Sequence, residues 1–217
     1  MRLNELQQRL EFIYAIRTTY QVEAFVTTNR QLIQTLENNP ACRCLPEKLL
    51  IHTTSDGLDV SLYLDKTLVD QLAQYEVADQ SITDDLEIFC TVVEGISHFV
   101  YLIWRVQQGY TVSLLELELQ AEVDKYIMAA AFLAQHNRGK IPYHLHEQLF
   151  EHCHFDPQLN PTELHRYQQA NVFARHYCGE LHNTLIAHGN SYAVTRDIRR
   201  FYRLWHTQKI QYIAQRR

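Results

Sequence analysis

Apolar residues recur at helical spacing from the start of the chain. Between Asn4 and Leu36 they stand at Leu6, Leu10, Ile13, Ile16, Val22, Phe25, Val26, Leu32, Ile33 and Leu36, a series that predicts one long or two shorter amphipathic helices. Asn38-Asn39-Pro40 closes this segment, because proline steers the residue before it out of the helical region. The period then shortens to that of a strand. Lys48 to Thr54 and Leu58 to Leu64 alternate apolar and polar residues around Ser55-Asp56-Gly57, a hairpin turn signal. Leu49 and Ile51 on one strand, and Leu58, Val60, Leu62 and Leu64 on the other, form the predicted inner face.

Helical periodicity returns at Lys66 to Gln74, and Asp79 to Asp85 is a polar connector in which Thr83-Asp84 can cap the next helix. Leu86 to Gln107 reads as a long buried helix ended by Gly109. Ser113-Leu114-Leu115-Glu116 is a capping-box pattern at the head of a helix running to about Gln135, and this helix should pack on the one before it. Asn137-Arg138-Gly139 and Pro142 punctuate the chain before helices expected near Tyr143 to Glu151, Pro161 to Ala187 and Thr195 to Gln215. The fold class is therefore mainly α with a small β-hairpin: a helical core around a central helix pair, with a helical C-terminal extension. Residues 1–136 hold the helices, hairpin and central pair, and residues 137–217 the extension, the two together forming one compact unit.

Composition agrees with this. With 217 residues, 46% of them apolar and 21% charged, the chain can bury a sizeable core, and 6 glycines and 5 prolines leave few helix breakers. Five cysteines without a CxxC pair argue for reduced thiols rather than a disulfide framework. Arg2, Glu5, Arg9 and Glu11 interrupt the first twelve residues, unlike a secretory signal, and Glu94, Ser97, His98 and Arg105 interrupt the most apolar stretch, unlike a membrane span. A cytoplasmic location without membrane contact is the expectation. The formal charge of −5 hides an asymmetry: Pro161 to Arg217 carries nine Lys/Arg against three acids, a net +6, and the rest of the chain is −11. Such an end can seek an acidic partner or dock on the protein's own acidic half.

The chemistry-bearing residues concentrate in the central pair. Glu94 and His98 are four apart on one helix, and Glu118 and Glu122 four apart on the next, so each pair shares a helix face. Facing carboxylates and imidazole can hold a divalent metal. The order of hairpin, long helix with Val93-Glu94-Gly95-Ile96-Ser97, short link, and helix with Glu122-Val123-Asp124-Lys125-Tyr126 resembles the small gluzincin-type zinc metallopeptidases, including the group that cleaves phage repressors. The resemblance covers residues 48–133. It implies that Glu94 takes the place of the general base and Glu122 that of the third zinc ligand. Both imidazole positions are lost, however, because Val93 and Ser97 occupy them and His98 falls one residue late, about 100° around the helix. Zinc in that family's arrangement needs three converging protein ligands and cannot form at those positions.

Three readings stay open. The pair is a zincin-like frame that is non-catalytic or catalytically altered and works as a protein-binding, regulatory module, with no cofactor. Alternatively, Glu94 and His98 satisfy each other in an unrelated bundle, with the acids after Glu116 forming a solvated face. Third, zinc or another divalent metal is held in shifted geometry by Glu94, His98, Glu118 and Glu122, with Glu94, His98 and Glu122 serving a metal-dependent hydrolase.

Nine of the twelve histidines lie between His144 and His206, and Cys178 and His182 are four apart, a weak metal-binding pattern more consistent with structural roles. Arg196, Arg199, Arg200 and Arg203 form a stripe beside Phe201, Tyr202 and Trp205. That stripe can contact nucleic acid, although salt bridges to the acidic half or to another protein are the plainer use. No nucleotide-binding or serine-hydrolase motif accompanies any of these residues.

Overall fold

A computed structural model describes residues 1–36, 45–55, 57–74, 86–153, 155–188 and 191–216. The elements run α1 (Leu3–Tyr14), a 3-10 turn (Val22–Ala24), β1 (Val26–Thr27), α2 (Arg30–Leu36), β2 (Glu47–Thr53), β3 (Leu58–Leu64), α3 (Lys66–Gln74), α4 (Leu86–Gln107), α5 (Leu114–His136), α6 (Leu145–Phe150), α7 (Pro161–His188), α8 (Ser191–Arg203) and α9 (His206–Ala214). The protein is mainly α with one small sheet, as its periodicities predict. The stop at Asn38-Asn39-Pro40, Cys42, Cys44, Asp56, the Asp79 to Asp85 connector and His154 lie outside the described residues.

The α4–α5 pair is the centre of the fold. α4 starts and stops at the residues its sequence predicts, and α5 begins where Ser113 Oγ accepts the Glu116 N–H at 3.2 Å. α5 packs against α4 and α7, so apolar residues occur around much of its circumference. Val92, Val93, Ile96, Phe99 and Val100 from α4 meet Val123 and Tyr126 from α5, Leu6 and Leu10 from α1, and Leu62 from β3 in one core. α4 is long and apolar enough to cross a membrane, contrary to the expectation from its interrupting polar residues; 72% of its most apolar window is buried inside the fold.

The sheet holds one more strand than the sequence predicts. Its order is β1-β3-β2, with β2 antiparallel to β3 (Leu49 opposite Leu62, Ile51 opposite Val60) and β1 parallel to β3 (Val26 opposite Leu62). Two residues contacting a distant strand leave no periodic signal. Leu62 and Leu64 are buried as predicted, whereas Ile51, toward the hairpin tip, is 41% exposed.

The ends of the chain differ most from expectation. The first helix stops at Tyr14 without glycine or proline, because Ala15 adopts a left-handed conformation (φ 49°). Two arginines of α8 then donate to the last carbonyls there, of which Phe12 O also accepts the Ala15 N–H. Arg199 donates from Nε to Ile13 O (2.8 Å) and from Nη2 to Phe12 O (3.1 Å), and Arg203 donates to Tyr14 O and Ala15 O (both 3.0 Å). Cations at a helix C-terminus are also favoured by its dipole. The helix expected over Thr195 to Gln215 is two helices, since Trp205 is extended (ψ 170°) and its N–H is capped by Gln208 Oε1 at 3.2 Å.

Candidate functional site

The central helices and the hairpin converge on a cluster of charge. Glu94 and Glu122 face each other across α4 and α5, as the sequence implies, and the Lys125 ammonium stands between them, 3.0 Å from Glu94 Oε2 and 2.7 Å from Glu122 Oε1. One helical turn on, His98 lies between two further carboxylates. Its Nδ1 is 3.4 Å from Oε1 of Glu47, the first residue of β2. Its Nε2 is 3.3 Å from Glu118 Oε2 but off the hydrogen-bond line, so this buried nitrogen has no hydrogen-bond partner. Arg166 of α7 closes the cluster with Nε 3.4 Å from Glu118 Oε1.

Close packing makes this arrangement possible. The hairpin lies directly on α4 at Gly95, where an added Cβ would stand 2.8 Å from Glu47 Cγ and 3.1 Å from Leu62 Cδ1. Only the missing side chain lets β2 approach closely enough for Glu47 to reach His98. Glu47 and Lys125 are the participants that sequence reasoning missed. The hairpin's alternation marks Glu47 only as a strand residue, and Lys125 reads as an ordinary basic residue.

Burial and charge compete at each group. Burial alone would lower the His98 pKa, yet Glu118 and Glu47 override it and hold the imidazole well above its ordinary value. Burial likewise opposes the charged form of Lys125, and Glu122 and Glu94 raise its pKa well above the usual range. Burial raises the Glu47 and Glu122 carboxyls. For Glu94 it is outweighed by Lys125 and His98, which leave that carboxyl low. Four carboxylates therefore share two permanent cations, Lys125 and Arg166. A protonated His98 offsets one of the two remaining negative charges, whereas a divalent ion beside a neutral imidazole would offset both.

Donor atoms from Glu94, His98 and Glu118 lie within 4.8 Å of one another. Two carboxylates and an imidazole suit zinc or a similar divalent ion, with modest inward movement needed to reach bonds of roughly 2.0–2.2 Å. Glu47 would then be the carboxylate behind the imidazole, orienting the ring as such partners do in metal sites. Glu122 stands apart from this trio on the Lys125 side. Glu94, Glu122, Lys125 and Glu47 line a cleft of about 250 Å³ together with Tyr167 and Asn171 of α7, whereas His98 and Glu118 lie buried behind its wall. At the two positions where the peptidase pattern has imidazoles, Val93 is fully buried in the core and Ser97 Oγ donates to Asp124 Oδ2 at 2.5 Å.

Behind the cluster lies a second polar network. Asp124 also accepts from Tyr14 and, at 2.7 Å, from Gln120, while Lys209 donates to Gln120 Oε1 at 2.5 Å. Burial pushes the Asp124 carboxyl up to about 6 and the fully buried Lys209 down to about 7. The Lys209 ammonium sits 4.2 Å from the Tyr101 ring centre and 5.0 Å from that of Phe201. This network ties α1, α4, α5 and α9 together.

The other sequence candidates have ordinary partners. His182 contacts the Tyr126 hydroxyl (3.0 Å) and Tyr143 O (2.9 Å), which occupies both ring nitrogens; Cys178 is fully buried. Arg199 and Arg203 serve the α1 terminus, Arg200 lies over the Tyr212 ring at 5.2 Å, and Arg196 is exposed. No family model, curated protein or solved structure matches this chain.

Proposed function

We propose that the protein binds a divalent metal through Glu94, His98 and Glu118 in a catalytically altered, zincin-like helix pair. The observation that carries this reading is the convergence of His98 with the Glu94 and Glu118 carboxylates within 4.8 Å, the buried Nε2 having only a 3.3 Å contact with Glu118 and no aligned hydrogen bond among the described residues. Three protein ligands leave coordination positions for water or substrate, and Glu94 brings the site to the wall of the adjoining cleft. Glu122 and Lys125 then serve as charged groups beside the centre, in keeping with hydrolytic use.

A second reading rests on Lys125. Its ammonium already bridges Glu94 and Glu122, so the pair can be a silent frame in which lysine stands in for a metal and the cleft binds another protein. Elemental analysis of untagged protein, followed by calorimetric titration of chelator-treated protein with Zn²⁺ and Mn²⁺, separates the two. The metal reading expects about one ion per chain, proton release on binding, loss of the ion in His98→Ala and Glu118→Gln, and retention in Glu122→Gln. Failure of folded parent protein to take up either ion overturns it and leaves the silent frame.

A further inference from the structure

A second pocket, on different elements from the charged cluster, has its own chemistry. It encloses about 590 Å³ between the α4–α5 turn and the α8–α9 junction, and its wall includes Arg105, Tyr110, Ser113, Trp205, His206 and Thr207. Arg105 belongs to the last turn of α4 and is only 2% exposed. Among the described residues its Nε–H has no acceptor and its one carboxylate contact is Glu116, 3.4 Å from Nη2. The Glu116 carboxylate, also in the wall, is engaged by the Tyr101 hydroxyl at 2.6 Å. A buried guanidinium offers five donors in a fork shaped for oxyanions; here its Nε–H is left without an acceptor, and the Tyr110 ring centre lies 4.7 Å from its carbon.

Two helix starts reach the same pocket. Ser113 caps α5, Trp205 precedes α9, and the Ser113 Oγ and His206 Nδ1 atoms, 2.9 Å apart, join them. The first-turn N–H groups of a helix have no intrahelical acceptors and carry the positive end of its dipole. Tyr110 and Trp205, 45% and 56% exposed, stand at the rim with ring centres 5.8 Å apart. Large aromatics kept this open offer an apolar face beside the Arg105 guanidinium.

We infer that this pocket binds a small aryl oxyanion, its phosphate or carboxylate held by Arg105 and the N-terminus of α9, and its ring lying on Tyr110 and Trp205. Calorimetric titration of the full chain with phenyl phosphate, benzoate and inorganic phosphate tests it. One aryl anion should bind one-to-one, about tenfold or more tighter than inorganic phosphate; the tighter of phenyl phosphate and benzoate names the headgroup. Thr207→Asp is the decisive variant, because an acid in the first turn of α9 favours the helix but repels the ligand. It should keep the thermal midpoint and weaken aryl-anion binding about tenfold or more. Trp205→Ala should bring the aryl anion down to the affinity of inorganic phosphate. Binding that is unchanged in Thr207→Asp overturns the inference, as does the absence of saturable binding by every probe below about 10 mM.

Discussion

Replacing Lys209 with methionine should stabilise the protein at pH 7 and destabilise it at pH 10. Lys209 is completely buried, with one hydrogen-bond acceptor and aromatic rings around its ammonium, and burial lowers its pKa from 10.5 to about 7. Between those two values the unfolded chain holds a proton that the folded chain has released, so folded stability rises with pH across this window. A displacement of that size costs about 5 kcal/mol below the window; at pH 7 nearly all of it is present, and by pH 10 roughly 1 kcal/mol remains. Methionine has similar volume and removes the titration, but it leaves Gln120 Oε1 without its donor, a loss of about 2 kcal/mol. The net expectation is a gain of about 2 kcal/mol at pH 7 and a deficit of about 1 kcal/mol at pH 10. Equilibrium urea unfolding of parent and variant at both pH values measures it, and the difference between proteins cancels groups that titrate identically in each. A parent–variant gap that moves by less than about 1 kcal/mol between the two pH values refutes the argument and means that Lys209 keeps an ordinary pKa.

Three further outcomes are expected. Gly95→Ala would push Glu47 and Leu62 away from α4, so thermal or urea unfolding should register a loss of about 1–3 kcal/mol, and metal uptake should weaken as Glu47 leaves His98. Arg199→Ala combined with Arg203→Ala removes four hydrogen bonds to the end of α1 and should cost about 1–3 kcal/mol in urea unfolding. Truncating a Cys178 that the core fully encloses, as Cys178→Gly, should lower stability by about 1–3 kcal/mol without changing metal stoichiometry, read by calorimetry and elemental analysis.

The parts of the fold that were legible in sequence are those with local causes. The end of α4 and the start of α5 follow from Gly109 and the Ser113 cap, and the β2–β3 register follows from alternation around a turn. The parts that were not legible depend on contacts made across the chain. Ala15 ends α1 in a left-handed conformation beside carbonyls that Arg199 and Arg203 reach from the far end of the chain, and β1 exists because Val26 meets Leu62. The same division runs through the site. Helical spacing places Glu94, His98, Glu118 and Glu122 toward one another, but no spacing rule brings Glu47 from the hairpin or Arg166 from α7. Lys209 was the most deceptive residue, because a lysine in a helix normally points to water and this one points into aromatic rings.

The clasp between α8 and the end of α1 also bears on how the chain is made. During translation α1 emerges before α8, and the guanidinium groups that close it follow 186–189 residues later. At about 5–20 residues per second the ribosome needs roughly ten to forty seconds to deliver them. Until then the nascent helix keeps an apolar face and several carbonyls open, a state suited to chaperone capture. A chain cut short before Arg199 therefore leaves the end of α1 without the donors that the folded protein places there.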